Sequence, residues 1–270
     1  MANRRERKSV DRSKLEFADN VPTWIDDLDA PGYSQEVREV IEYFLAYSPC
    51  PGLSSRRIAL TSCGWPTDTP SKDSLFVRSL LEEADLSLDA NYFMRSKREA
   101  EIELFSAAEM GSDFCTTTSS NRIALVGNGN LAMDLFRSIR NALAHFRFCL
   151  VPKSGSLFLA MENGVPSKQG FEVKARLFLS IEALEAWIEL IKDGRARMQA
   201  EEKRKEAKQK QLEERLIQAI EAGDVKTQRD VATNLGIKKA EAKRILGNLK
   251  DQQRIRYVPQ THRWEVLSHE

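Results

Sequence analysis

The run NLAMDLFRSIRNALAHFRF, residues 130–148, decides how the chain is read. At about 3.6 residues per turn, Leu135, Ile139, Ala142 and Phe146 fall on one stripe that should face a core. Asp134, Ser138, Asn141 and His145 fall on another. The spacing therefore predicts a helix through Phe148 that packs on one side and is polar along the other.

Working outward, three more amphipathic helices precede it. SQEVREVIEYFLAY (34–47) places Val37, Val40, Ile41, Phe44 and Leu45 at helical spacing, and the Pro-Cys-Pro-Gly that follows ends it. SLFVRSLLEEADL (74–86) and REAEIELFSAAEM (98–110) are the others. Beyond Pro152, SLFLAM and FEVKARLFL read as two strands around the loop ENGVPSKQG, and Ser180 caps a helix that buries Leu184, Trp187, Ile188 and Ile191. The expected fold is mainly α: a helical bundle with a small β-hairpin.

The expected layout is a disordered basic tail over 1–20, a helical domain over 21–192, a charged helical connector over 193–210, and a separate unit over 211–270. The last unit reads as a helix closed by glycine, a second helix (TQRDVATNLG) with a Thr-x-x-Asp cap, a third (KKAEAKRILGNLKDQQ), and two short β-like runs in RIRYVPQTHRWEVL.

The chain has 270 residues and a formal net charge of +1, so attraction for nucleic acid must come from local patches. No apolar run approaches the roughly 20 residues a membrane span needs, and MANRRERKSVDRSK lacks the apolar segment of a signal peptide. A cytoplasmic protein with no membrane contact is expected. Cys50, Cys63, Cys115 and Cys149 lack metal-ligand spacing, so no metal and no cofactor is expected and reduced, mostly buried thiols are the default. VGNGN (126–130) lacks the third glycine of a dinucleotide loop and reads as a turn with a helix cap. The pairs Asp26-Asp27 and Glu82-Glu83 diverge on a helix and read as solvated charge. Cys149, four residues beyond His145, invites a thiol and imidazole pair, but no oxyanion-hole signature accompanies it.

The polar stripe carries the chemistry. Asn141 and His145 lie about 40° apart around the helix, so the amide is able to orient the imidazole, while Arg140 sits about 140° from His145. A histidine takes or gives a proton near neutral pH, and a guanidinium clamps a phosphate without losing its charge. These two abilities suffice for metal-free RNA cleavage. The base takes the proton of a ribose 2′-OH, and that oxygen attacks the adjacent phosphorus while the arginine stabilises the charge growing on the phosphate oxygens. Arg137, one turn earlier, is either a second phosphate contact or a surface charge.

RNALAH (140–145) resembles the Arg, polar residue, three residues, His motif of the HEPN superfamily, whose members are commonly dimeric, metal-independent endoribonucleases of toxin, phage-defence and CRISPR-associated systems. That resemblance implies a helical bundle, a homodimer, Arg140 on the scissile phosphate, Asn141 as orienting group and His145 as general base or acid, with Arg137 and Ser138 in support. It also implies an inhibitor or trigger protein, because unchecked RNA cleavage harms a cell.

The segment QRDVATNLGIKKAEAKRILGNLKDQQRIRY resembles the winged helix-turn-helix family, with Val231, Leu235, Ile237, Ile245 and Leu249 at core positions. The resemblance implies DNA or RNA contact through Lys238, Lys239, Lys243 and Arg244 on the presumed recognition helix and Arg254, Arg256 and Arg263 on the wing. The same cations also suit a solvated face of a protein-docking module. The rival to an endoribonuclease is thus a DNA-binding regulator whose helical domain only dimerises.

Overall fold

The computed structural model describes residues 17–18, 33–53, 56–96, 103–127, 129–168, 170–225 and 227–267, and the chain divides into two units after Arg195. Apart from Phe17–Ala18, the tail expected to be disordered and the Asp26-Asp27 pair lie outside the described residues.

In the first unit, helices begin where the sequence supplies a side-chain acceptor. Ser34 accepts from the Val37 amide to open α1 (Gln35–Glu42), which runs on through a π turn over Tyr43–Tyr47, and Ser74 opens α2 (Leu75–Glu83) through Val77. Asn130 accepts from the Met133 amide at the start of α5 (Leu131–Ala144), and Ser180 from Ala183 at the start of α6 (Ile181–Lys192). Between these lie two short helices, α3 (Glu103–Ala107) and α4 (Phe114–Thr117). Residues 98–102 of the helix expected over 98–110 lie outside the described residues, and within the rest only the short α3 forms.

The expectation of a mainly α bundle with a small hairpin is wrong. The unit is α/β, built on a six-stranded sheet whose main path is β2 (Tyr92–Ser96), β3 (Arg122–Gly127), β6 (Gly170–Ser180), β5 (Ser156–Ser167), β4 (Phe148–Lys153), with the two-residue β1 (Phe17–Ala18) also paired to β6. β2 and β3 are parallel and the remaining pairs antiparallel. Two features concealed the sheet. Ile123, Ala124 and Leu125 are all buried, so β3 shows an unbroken apolar run rather than alternation. The helix expected through Phe148 stops at Ala144, with no glycine to mark its end, and Phe148 opens a strand.

Both sheet faces are covered. On one, α3 and α4 bring Leu104, Phe105, Phe114 and Cys115 against Ala124, Cys149, Phe158, Val173 and Phe178. On the other, Phe136 of α5 stacks on Phe44 at 6.1 Å between centroids and meets Phe76 and Trp187 at 6.2 Å each. The Trp187 indole donates to the Leu80 carbonyl at 2.7 Å, which ties α6 to α2. Val173 pairs with Gly164 and Ala175 with Asn163, so Lys174 is an extra residue in β6. That bulge reverses the alternation, which puts Val173, Arg176 and Phe178 on the same face.

The second unit contains most of α7 (Gly194–Glu221), then α8 (Gln228–Leu235), α9 (Lys239–Asp251) and a hairpin of β7 (Ile255–Val258) and β8 (Arg263–Val266). Thr227 and Asp230 form a reciprocal capping box at α8, and Gly236 ends it at φ 65°. Leu216, Val231, Leu235, Ile245, Leu249 and Ile255 make its core, with Ile237 and Trp264 packed at the edge.

Candidate functional site

The end of α5 is built by backbone geometry. The amides of His145, Phe146 and Arg147 donate to the carbonyls of Asn141 (3.0 Å), Leu143 (3.2 Å) and Ala142 (2.9 Å). This is a Schellman turn with Phe146 in the left-handed position that glycine usually fills, at φ 53°. The turn lifts Phe146 off the core stripe to which helical spacing assigned it, leaving its side chain 75 % exposed. The next residue, Arg147, plunges back into the protein. Its guanidinium pairs with Glu162 and lies 3.6 Å from the Phe171 ring centroid, while its carbonyl accepts from the Glu162 amide at 3.0 Å. His145, at the helix cap, is held exposed between these two constraints.

Arg140 and Asn141 are both half-buried one turn earlier, and an Arg140 Nη1 donates to Asn141 Oδ1 at 3.4 Å, a weak contact. Arg140 Nε is buried without an acceptor. Among the described residues no side-chain bond joins Arg140 or Asn141 to His145. One chain thus collects the three residues at one helix end without closing them into a single constellation.

The rest of the polar stripe turns inward. Asp134 and Ser138 are buried; Ser138 donates to the Asp134 carbonyl at 2.9 Å and receives Asn163 Nδ2 at 3.3 Å, while Arg137 donates to Asp134 Oδ1 at 2.8 Å. Ser138 therefore packs the helix onto β5 rather than facing a substrate, and Arg137 spends one edge on its own helix. Cys149 does not meet His145, because it lies on β4 in the core beside Cys115. The Cys115 thiol, donating to Cys149, is itself driven up while Cys149 is lowered. Cys50, Cys115 and Cys149 are buried free thiols and Cys63 is half-buried. Among the described residues no group of three His, Cys, Asp or Glu side chains is arranged to hold a metal.

In the second unit Lys238, Lys239, Lys243, Arg244, Arg256 and Arg263 are exposed and Arg254 is half-buried. Lys238 is the N-cap of α9 without a side-chain cap bond. Arg244 donates to Gln209 at 3.0 Å, and Arg256 donates from Nη2 and Nε to the single oxygen Glu265 Oε2 at 2.8 and 3.1 Å, so these two have protein partners. Sequence reasoning missed Phe146, Arg147 and Glu162 at the first site. It also missed the aromatic pair Tyr257 and Trp264 on the hairpin, 5.2 Å apart with the Tyr257 hydroxyl 3.2 Å from His262 Nδ1. The sequence carried no signal for the exposure of Phe146, because no glycine or proline marks the helix end before it.

Compared with protein-family models, with curated proteins and with solved structures, the chain matches none of them. Among the described residues no helix is long and apolar enough to cross a membrane.

Proposed function

We propose that the first unit is a metal-independent endoribonuclease acting at Arg140 and His145, and that the second unit holds the phosphate backbone of nucleic acid. The observation that carries the first part is the exposed His145 on a fixed helix end, one turn from a guanidinium whose Nε has no acceptor. The reading rests on this site and on the HEPN-like motif RNALAH, not on the fold.

His145 takes the proton of a ribose 2′-OH, the oxygen attacks the adjacent phosphorus, and the bond to the 5′ oxygen breaks; that oxygen takes a proton from water, leaving a 2′,3′-cyclic phosphate and a 5′-OH, and His145 returns its own proton to solvent. Arg140 stabilises the charge that accumulates on the phosphate oxygens, with Asn141 as the orienting group. Because Arg140 and His145 lie about 140° apart on one helix, a second copy completes the site in a homodimer. A toxin or phage-defence setting, with an inhibitor or trigger protein, follows from the motif alone.

The test is cleavage of a mixed RNA pool in EDTA by wild type, Arg140→Ala and His145→Ala, with the product ends identified. Cyclic phosphate ends from wild type and loss in both variants support the enzyme; intact RNA with wild type, or equal cutting by the variants, sinks it.

A second reading, a DNA-binding regulator of winged-helix type, is favoured by the cations of α9. Lys238 and Lys239 stand at its N-terminus, where the helix dipole repels cations, so the pair is better matched to a bound phosphate than to the fold. Salt-sensitive DNA binding unaffected by Arg140→Ala and His145→Ala, with RNA left intact, would favour it.

A further inference from the structure

Beside His145 lies a cleft of about 400 Å³ between α1 and the turn that ends α5, lined chiefly by Tyr33, Ile41, Leu45, Phe146 and Phe148. Its walls are aromatic and aliphatic, with the Tyr33 and Phe148 rings 6.4 Å apart, and its rim carries one guanidinium and one carboxylate, Arg38 and Glu42, a single turn apart on α1. Phe146 is costly where it stands. It holds a left-handed backbone that a bulky residue disfavours, and it leaves a large ring 75 % exposed. Neither cost serves the helix end, which a glycine would close without strain.

We propose that this cleft takes one unpaired nucleobase of the RNA, with Phe146 as the face on which the base stacks. The inference rests on the RNA-cleaving reading of the same helix end and names its substrate class: single-stranded or looped RNA. Three observations fit a base. The lining offers flat apolar surface, as base stacking needs regardless of sequence. The rim offers a donor fork and an acceptor, the two groups that read a base edge. Phe146, which lines the cleft, directly follows His145 in the chain, so a base stacked on it sits one residue from the proposed general base. A paired base is already stacked inside its helix and presents no free face.

The test uses the full chain with His145→Ala as the uncut parent, adding Phe146→Gly or Phe146→Tyr. Binding of a short labelled oligoribonucleotide, as a single strand and as a duplex, is read by fluorescence anisotropy at salt that screens phosphate contacts. Phe146→Gly should melt at a higher temperature than its parent, because the left-handed strain is gone, yet bind the single strand on the order of tenfold more weakly. Duplex binding should not change, and Phe146→Tyr should bind as the parent does. Equal single-strand binding by Phe146→Gly overturns the proposal. So does a parent that binds no single strand, or a Phe146→Gly variant that changes only its oligomeric mass, which would assign the cleft to a second copy. Phe146-dependent binding by a wild type that cuts nothing would keep the pocket and remove the nuclease; cutting with Phe146-independent binding would do the reverse.

Discussion

Glu162 is shared by two buried arginines: it pairs through Oε1 with Arg147, two residues beyond the exposed His145, and through Oε2 with Arg176 Nε at 3.0 Å. All three are at most 6 % exposed along the side chain. Arg176 is anchored again by the Met110 carbonyl at 2.8 Å. Removing the carboxylate that both share takes one anionic partner from two buried cations in a medium that solvates them poorly. Glu162→Gln should therefore cost about 3–5 kcal/mol in denaturant unfolding. A cost under about 1 kcal/mol, the size of an exposed pair, would show that water reaches the cluster.

Gly164 faces the β6 bulge. A Cβ there would stand 2.3 Å from the Glu172 carbonyl oxygen and 2.5 Å from Phe171 Cε1. The carbonyl belongs to the backbone and is unable to swing aside as a side chain does. Gly164→Ala should cost about 1–3 kcal/mol through overpacking, and because Phe171 carries the Arg147 guanidinium it should also loosen the turn at His145. Amide exchange at residues 145–147 checks the second effect; unchanged protection there would separate the bulge from the site.

Much of this architecture was legible in local chemistry, and the losses have identifiable causes. The Ser180 cap and the Thr227 to Asp230 capping box are short-range devices, written in four consecutive residues, and the structure contains both. The sheet was not legible in the same way. β2 and β3 are short, and β3 is buried on both faces, so neither shows the period of a half-buried strand. Arg140, Asn141 and His145 could be placed on one helix from sequence alone. Their setting could not, because Arg147 finds Glu162 only through the pairing of β4 with β5, and because a phenylalanine rather than a glycine makes the left-handed turn.

Asp68 supplies a pH signature. Its carboxylate accepts from the Thr61 amide at 2.9 Å and the Thr61 hydroxyl at 3.0 Å and pairs with Arg57, which together hold it below the usual carboxylate range despite partial burial. A group whose folded pKa is lowered stabilises the fold above its unfolded pKa, and that contribution is lost as pH falls through the folded value. Wild type should thus be more stable than Asp68→Asn at neutral pH, with the gap closing in the acid range below the ordinary carboxylate pKa. A gap constant down to the most acid conditions would mean that Asp68 does not titrate with folding.

The lysines of α9 separate a phosphate-binding surface from an ordinary solvated one. Lys238 and Lys239 oppose the helix dipole, whereas Lys243 lies a turn further on, on the exposed side of the same helix. If all three neutralise phosphates, replacing them together with alanine removes three counterion-releasing contacts. The slope of log affinity against log salt should then flatten by about 2–3. Binding should weaken by a similar factor for every sequence tried, since phosphate contacts carry no base information. The same triple variant should unfold at slightly higher denaturant concentration, because the dipole no longer repels two cations at the helix start. A solvated face would show the second change without the first, so an unaltered salt slope beside a small gain in stability would take nucleic acid away from α9.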